Sequence, residues 1–375
     1  MKACLYVFIG PSGVGKSSVS RAIAKTSTRF VRVIKETTRE LRADDDDVRQ
    51  IPYVDLRGNN KYLAYLLNGG IRYLIDLDDV QDKLVMGISQ LLIVNNPMTI
   101  RMLRYMLRGQ DVRTIFVHRD MDQEDLADIF RERGLIGDKL TTAVESRLST
   151  RNVLYHQLAS GVLDVDHVII NSTIQSSVEQ FMCLHDSVKH SEDSEKGPLL
   201  NIIVAGTGPA KDQMMRLVES IPGGYCFIVP KHLTRRRRQE DGAETINVDE
   251  IPSDCLKYNF FTHEYGVNPK TVREVLLRHR LGFVTISRIP VAQELKRVVE
   301  AWGMRARIVY LHQKLPDLSG YETSVAQMRR AHTRQLLHLY QEELIEESGL
   351  SVVLAENEDI LCSYVHRMYV ESLDI

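Results

Sequence analysis

The sequence predicts an α/β chain of two tandem domains, each a mainly parallel sheet flanked by helices. Three observations predict it. Short apolar runs alternate with helical stretches along the whole chain. Each half opens on an apolar strand running into glycine, residues 4–9 before Gly10 and residues 199–205 before Gly206. The later elements then recur in the same order, at a separation of about 195 residues, which is the mark of a duplicated domain and not of a short-period solenoid.

The elements follow in sequence. Strand 4–9 is all apolar, as a strand buried on both faces should be. The segment Gly10-Pro11-Ser12-Gly13-Val14-Gly15-Lys16-Ser17 leads into a helix over about residues 16–25. Residues 35–42 read Lys-Glu-Thr-Thr-Arg-Glu-Leu-Arg, and residues 231–238 share the pattern Lys-x-x-Thr-Arg-x-x-Arg. Residues 113–118 (RTIFVH) and 306–312 (ARIVYLH) are matching strands, as are the closing strands 164–171 (DVDHVIIN) and 351–357 (SVVLAEN). Between the halves, residues 186–198 are polar, without apolar periodicity, and end in Gly-Pro. They predict a linker between domains at 1–185 and 199–375.

Bulk properties narrow the function classes. The 375 residues carry a formal net charge of −2, so no global field draws the chain to nucleic acid or anionic lipid. No run approaches the ~20 apolar residues of a membrane span. The N-terminus does not read as a signal peptide, because the glycine-rich segment follows at once. Five scattered cysteines without a CxxC pair read as reduced thiols, and the expected location is cytoplasmic.

Residues 10–17 fit G-x-x-x-x-G-K-[ST] between a strand and a helix, the context in which this pattern binds nucleotide phosphate. Small residues let successive amides turn inward around a phosphate at the positive end of the helix. Lys16 would neutralise the β- and γ-phosphates, and the Ser17 hydroxyl would hold Mg²⁺. The second half breaks the pattern: in Gly206-Thr207-Gly208-Pro209-Ala210-Lys211-Asp212 the lysine stands one residue early and an acid replaces the hydroxyl. Lys211 therefore reads as a surface helix residue, and this loop as one that has lost triphosphate binding.

With these motifs assembled, each half resembles the guanylate kinase family of P-loop nucleoside monophosphate kinases, nearly throughout residues 3–180 and more weakly over 199–372. The resemblance implies a small acceptor lobe and a lid on each sheet. It implies ATP and Mg²⁺ at Gly10, Ser12, Gly13, Val14, Gly15, Lys16, Ser17, Ser18 and Asn171. It implies acceptor-phosphate binding by Thr38, Arg39, Arg42 and Tyr53, since guanidinium forks match phosphate oxygens. Arg133 and Arg147, in the lid-like segment 126–148, would stabilise the transferring group with Lys16, Arg39 and Arg42. The sequence departs from the family where Ile129 stands for a lid arginine, with Arg131 as a candidate substitute. It departs again where Asn95 and Asn96 stand for an acidic base reader, so guanine specificity is not expected. In the second half, Arg235, Arg238 and a Tyr265-Gly266 turn resemble an acceptor pocket without a donor site.

Two functions follow. One is ATP- and Mg²⁺-dependent phosphoryl transfer by the first domain to a nucleoside monophosphate or related nucleotide, with a non-catalytic second domain. The alternative is a pseudokinase-type protein that binds nucleotide and a phosphorylated partner, the latter through Arg235, Arg238 and Tyr265. Packing of the two domains within the chain is expected, homo-oligomer formation is left open, and no membrane partner is expected.

Overall fold

The computed structural model describes residues 3–41, 46–52, 61–66, 72–132, 134–186, 197–206, 208–221, 226–235, 244–279, 281–314, 324–342 and 350–372. The chain divides into two compact units, Met1–Leu154 with Leu163–Met182, and Tyr155–Val162 with Cys183–Ile375.

In the first unit, β1 (Cys4–Ile9) is central to a five-stranded parallel sheet with β2 (Phe30–Arg32), β7 (Ser89–Ile93), β8 (Asp111–His118) and β9 (His167–Ile170), in the order β2-β7-β1-β8-β9. All six residues of β1 are buried, which accounts for the unbroken apolar run. The aromatic rings of Tyr6, Phe30 and Phe181 meet edge to face at 4.8–6.5 Å on one side of this sheet. Such pairs contribute roughly 0.5–1.5 kcal/mol each beyond their buried area. A second, four-stranded sheet in the order β4-β3-β6-β5 is formed by β3 (Lys35–Thr37), β4 (Val48–Gln50), β5 (Tyr62–Leu66) and β6 (Arg72–Asp76). Its register sets Tyr73 opposite Thr37, which brings a phenol beside the Thr-Thr-Arg segment.

Helices α1 (Lys16–Thr26), α2 (Leu77–Val85), α3 (Pro97–Met106), α4 (Gln123–Glu132), α5 (Gly137–Ala159) and α6 (Ile174–Asp186) complete the chain to residue 186. Their starts are written in local chemistry. Asp76 caps α2 by accepting from the Asp79 amide, and Asn96 caps α3 by accepting from the Met98 amide, with Pro97 at the first helical position. Asn96, one of the two asparagines standing where the resemblance would place an acidic base reader, is at the strand-to-helix junction and its side chain serves this cap.

The second unit repeats the plan. Strands β10 (Leu199–Ala205), β11 (Cys226–Ile228), β16 (Leu281–Thr285), β17 (Arg305–His312) and β18 (Leu350–Leu354) form a parallel sheet in the order β11-β16-β10-β17-β18. Strands β12 (Lys231–Leu233), β13 (Thr245–Asn247), β14 (Leu256–Phe260) and β15 (His263–Val267) form the small sheet in the order β13-β12-β15-β14. Both orders reproduce the first unit strand for strand. Helices α7 (Pro209–Glu219), α8 (Pro269–Arg278), α9 (Ile289–Ala301), α10 (Ser324–Glu342) and α11 (Glu358–Ser372) accompany them. Asn268 caps α8 ahead of Pro269, in the manner of Asn96 and Pro97. The expected Tyr265-Gly266 turn is a strand: both residues lie inside β15, hydrogen-bonded to β12 and β14. Gly266 is needed there for packing, since a Cβ would press into Ile251 and fall 2.9 Å from the Cys255 Cβ.

Candidate functional site

The site grows from the loop between β1 and α1. Gly10, Gly13 and Gly15 have φ of +153°, +89° and +89°, a region that side chains rarely adopt. A Cβ on Gly10 would overlap the backbone oxygen of Val117, and one on Gly15 would come within 2.5 Å of the Asn171 amide nitrogen. The loop can therefore hug the sheet only as glycine. Lys16 is the first residue of α1, and its ammonium donates back to the carbonyls of Gly10 (2.8 Å) and Pro11 (2.7 Å). No acidic residue occupies the first turn, and Ser17 and Ser18 are exposed there.

Asn171 braces this loop from the end of β9. Its amide donates to the Val14 carbonyl at 2.7 Å, while its Oδ1 accepts from the Ser177 hydroxyl at 2.9 Å. Asn171 thus acts on the loop's shape and also lines the cavity in front of it. Val14 itself is buried behind the loop.

That cavity, about 620 Å³, is walled on one side by Ser12, Gly13, Gly15, Lys16, Ser17 and Ser18. Its other walls bring in Arg21, Lys35, Arg39, Asp47, Tyr73, Asn95 and Arg119. Five cationic side chains and one carboxylate line it, which suits a ligand of several negative charges. Arg39 is half-buried just after Thr38, which is half-buried as well. Its Nε donates to the Tyr73 hydroxyl at 2.7 Å, and its guanidinium lies 5.9 Å from that ring's centre. Asp46 and Asp47 pair with Arg21, Arg32 and Lys35.

Lys35 is the residue that sequence reasoning passed over. It is buried, with its ammonium 3.0 Å from Asp47, 3.1 Å from the Ile93 carbonyl and 5.8 Å from the Tyr73 ring centre. Its signal was the shared Lys-x-x-Thr-Arg pattern, which was read for its arginines alone. Arg119 was also missed; it follows β8 directly, at the carboxyl edge where open parallel sheets bind ligands. Burial and the neighbouring cations act together on Lys16. Burial, then Lys35, then Arg147 lower the pKa of Lys16 from 10.5 to about 7.

Arg147 is exposed on α5 and reaches the site through its field. Arg131 pairs with Glu124 (2.7 Å) and Asp128 (2.5 Å) on the exposed side of α4. Ile129 lines the cavity and sits against Gly13, giving the loop an apolar roof. Arg42, Tyr53, Arg133 and Arg238 lie outside the described residues. In the second unit Arg235 is half-buried, and Tyr265 stacks on Tyr258 at 5.3 Å between ring centres. Lys211 is not a solvated surface residue: it is largely buried and paired with Asp212 (2.5 Å) and Glu244 (3.3 Å). No helix among the described residues is long and apolar enough to cross a membrane.

The chain matches no protein-family model and no curated protein. Among solved structures it is similar to guanylate kinase from Anaplasma phagocytophilum. The TM-score is 0.34 and the identity 18%, over 49% of this chain and 84% of that one. At that level of likeness, function has to be argued from the chemistry of the site itself.

Proposed function

We propose that the first unit transfers a phosphoryl group from ATP, with Mg²⁺, to a phosphorylated acceptor of the nucleoside monophosphate class, and that the second unit is non-catalytic. One observation carries the reading. A left-handed glycine loop aims Lys16 into the same cavity that Arg39 and Lys35 enter from the small sheet. A donor phosphate on the loop and an acceptor phosphate on the small sheet would then share one cationic space.

The residues present fit the cofactor. Ser17 lines the cavity at the head of α1, where the family pattern places its metal ligand. Mg²⁺ supplies neutralisation of the donor's phosphate oxygens. The chain's own residues do the rest. The loop amides hold the donor, and Lys16 exchanges its two carbonyl partners for phosphate oxygens. Arg39, fixed by Tyr73, orients the acceptor, and Arg147 adds charge from the lid side. Positioning and charge stabilisation are most of what this reaction asks of a protein.

A binding-only reading is favoured by Ile129, which roofs the loop where a lid arginine is expected. Incubation with ATP, Mg²⁺ and a panel of nucleoside monophosphates separates the two. Acceptor-dependent ADP formation is expected, falling by roughly 10²–10³ in Lys16→Ala. Tight ATP binding with no acceptor-dependent turnover would leave the binding-only reading standing and overturn the enzymatic one.

A further inference from the structure

The two units carry the same lysine strut. The Lys35 amide donates to the Asp47 carbonyl at 2.9 Å, and the Lys231 amide to the Glu244 carbonyl at 3.0 Å. The two ammonium groups turn to matching strand ends, Lys35 to the Ile93 carbonyl and Lys231 to Thr285. Each lies over the ring of the facing tyrosine, at 5.8 Å from Tyr73 and 5.9 Å from Tyr265. Glu244 therefore occupies the position of Asp47, and by the same alignment of β8 with β17, Gln313 occupies that of Arg119.

At these two positions the units part. Asp47 is short and pairs with Lys35 and Arg32, while Lys16 turns to its own loop. Glu244 is one methylene longer and reaches Lys211 at 3.3 Å, while accepting from the Thr285 hydroxyl at 3.2 Å. Gln313 supplies an oxygen where the first unit supplies a cation: its Oε1 accepts from the Ala210 amide, at the head of α7, at 3.1 Å. A Cβ on Gly208 would displace the end of the Gln313 side chain, and a Cβ on Gly206 would meet the Thr333 hydroxyl at 2.6 Å. The loop itself is cut from six residues, 10–15, to three, 206–208.

We propose that the second unit holds a masked oxyanion site, in which the Glu244 carboxylate and the Gln313 amide oxygen stand where phosphate oxygens stand in the first unit. The Lys211 and α7 donors that would meet an anion are satisfied by the chain itself. Burial would push the Lys211 ammonium toward neutrality, yet Glu244 and Asp212 outweigh it and hold its pKa above the ordinary lysine value. That is the electrostatic environment of a bound anion. The shortened loop cannot wrap a triphosphate, so the ligand class that would fit an unmasked site is a small oxyanion such as phosphate or pyrophosphate. The inference rests on reading residues 10–17 as a phosphate cradle.

Pyrophosphate is the probe. Calorimetric titration of the unchanged chain, with binding strongly weakened in Lys16→Ala, tests the cradle by itself; failure there would remove the premise and not the masking alone. In the Lys16→Ala background, Glu244→Asp with Gln313→Ala shortens the acid to its first-unit length and withdraws the amide oxygen. Saturable pyrophosphate binding at least tenfold tighter than in Lys16→Ala alone is expected. A doubly substituted chain that melts cooperatively and shows no gain would overturn the proposal. The unchanged chain gives a second readout through amine labelling and mass spectrometry. Pyrophosphate should protect Lys16 and leave Lys211 unaltered; protection of Lys211 would show its site already open and would overturn the masking.

Discussion

Lys16 has been carried to a position that disfavours its own charge. It is buried, and Lys35 and Arg147 lie close enough to lower its proton affinity. Its two hydrogen-bond partners are neutral carbonyls, so an anionic ligand would supply a counter-charge. Between pH 7 and 10.5 the folded chain binds fewer protons at this group than the unfolded chain does, so its contribution makes stability rise with pH across that window. A bound phosphate reverses the bias, because it favours the protonated form. Binding should then take up a proton above pH 7, and the Kd for ATP should weaken by up to tenfold per pH unit as pH rises beyond it. Titrations from pH 6 to 9 check this. Lys16→Arg, which stays charged throughout, should flatten the slope whatever it does to affinity. A wild-type Kd that does not change from pH 7 to 9 would contradict the account. The motif told of this lysine in the sequence; the second cation that tunes it, Lys35, was written there too, but its partner Asp47 comes from a separate strand and only folding brings them together.

At the scale of the element, the β1–α1 turn depends on glycines for unequal reasons. Gly10, with φ +153°, abuts a backbone oxygen that cannot rotate away, whereas Gly87 has a φ of +82° and open space around it. Gly10→Ala should therefore destabilise the chain by about 3 kcal/mol, from strain and overlap together. Gly87→Ala should cost only ~1 kcal/mol, the left-handed penalty alone. Denaturant unfolding of both variants measures the contrast, and equal losses would show that the close approach to β8 matters little. Strands were the legible elements, since a run such as residues 4–9 states its burial outright. Roles at strand ends were less so. Asn96 stands where the resemblance places a base reader and Tyr265-Gly266 resembles an acceptor turn, yet one is a helix cap and the other lies mid-strand. A polar residue near a strand terminus serves either purpose, and pairing decides which.

At the scale of the whole molecule, one plan is built twice and used differently. Both units keep the strand orders, the asparagine-proline helix start and the buried lysine over a tyrosine ring. The second unit changes the loop length and the two residues that face it. The sequence made the duplication visible through the spacing of its motifs, and the difference between the two loops visible through the position of Lys211. It could not show that Glu244 and Gln313 fill the gap, because each lies far along the chain from the loop it touches, 33 and 103 residues from its partner. A chain with one open cradle and one masked should bind one ATP. Equilibrium dialysis with Mg²⁺ and ATP measures this most directly. The account predicts a stoichiometry of one nucleotide per chain, abolished by Lys16→Ala; two per chain, or one that survives Lys16→Ala, would contradict it.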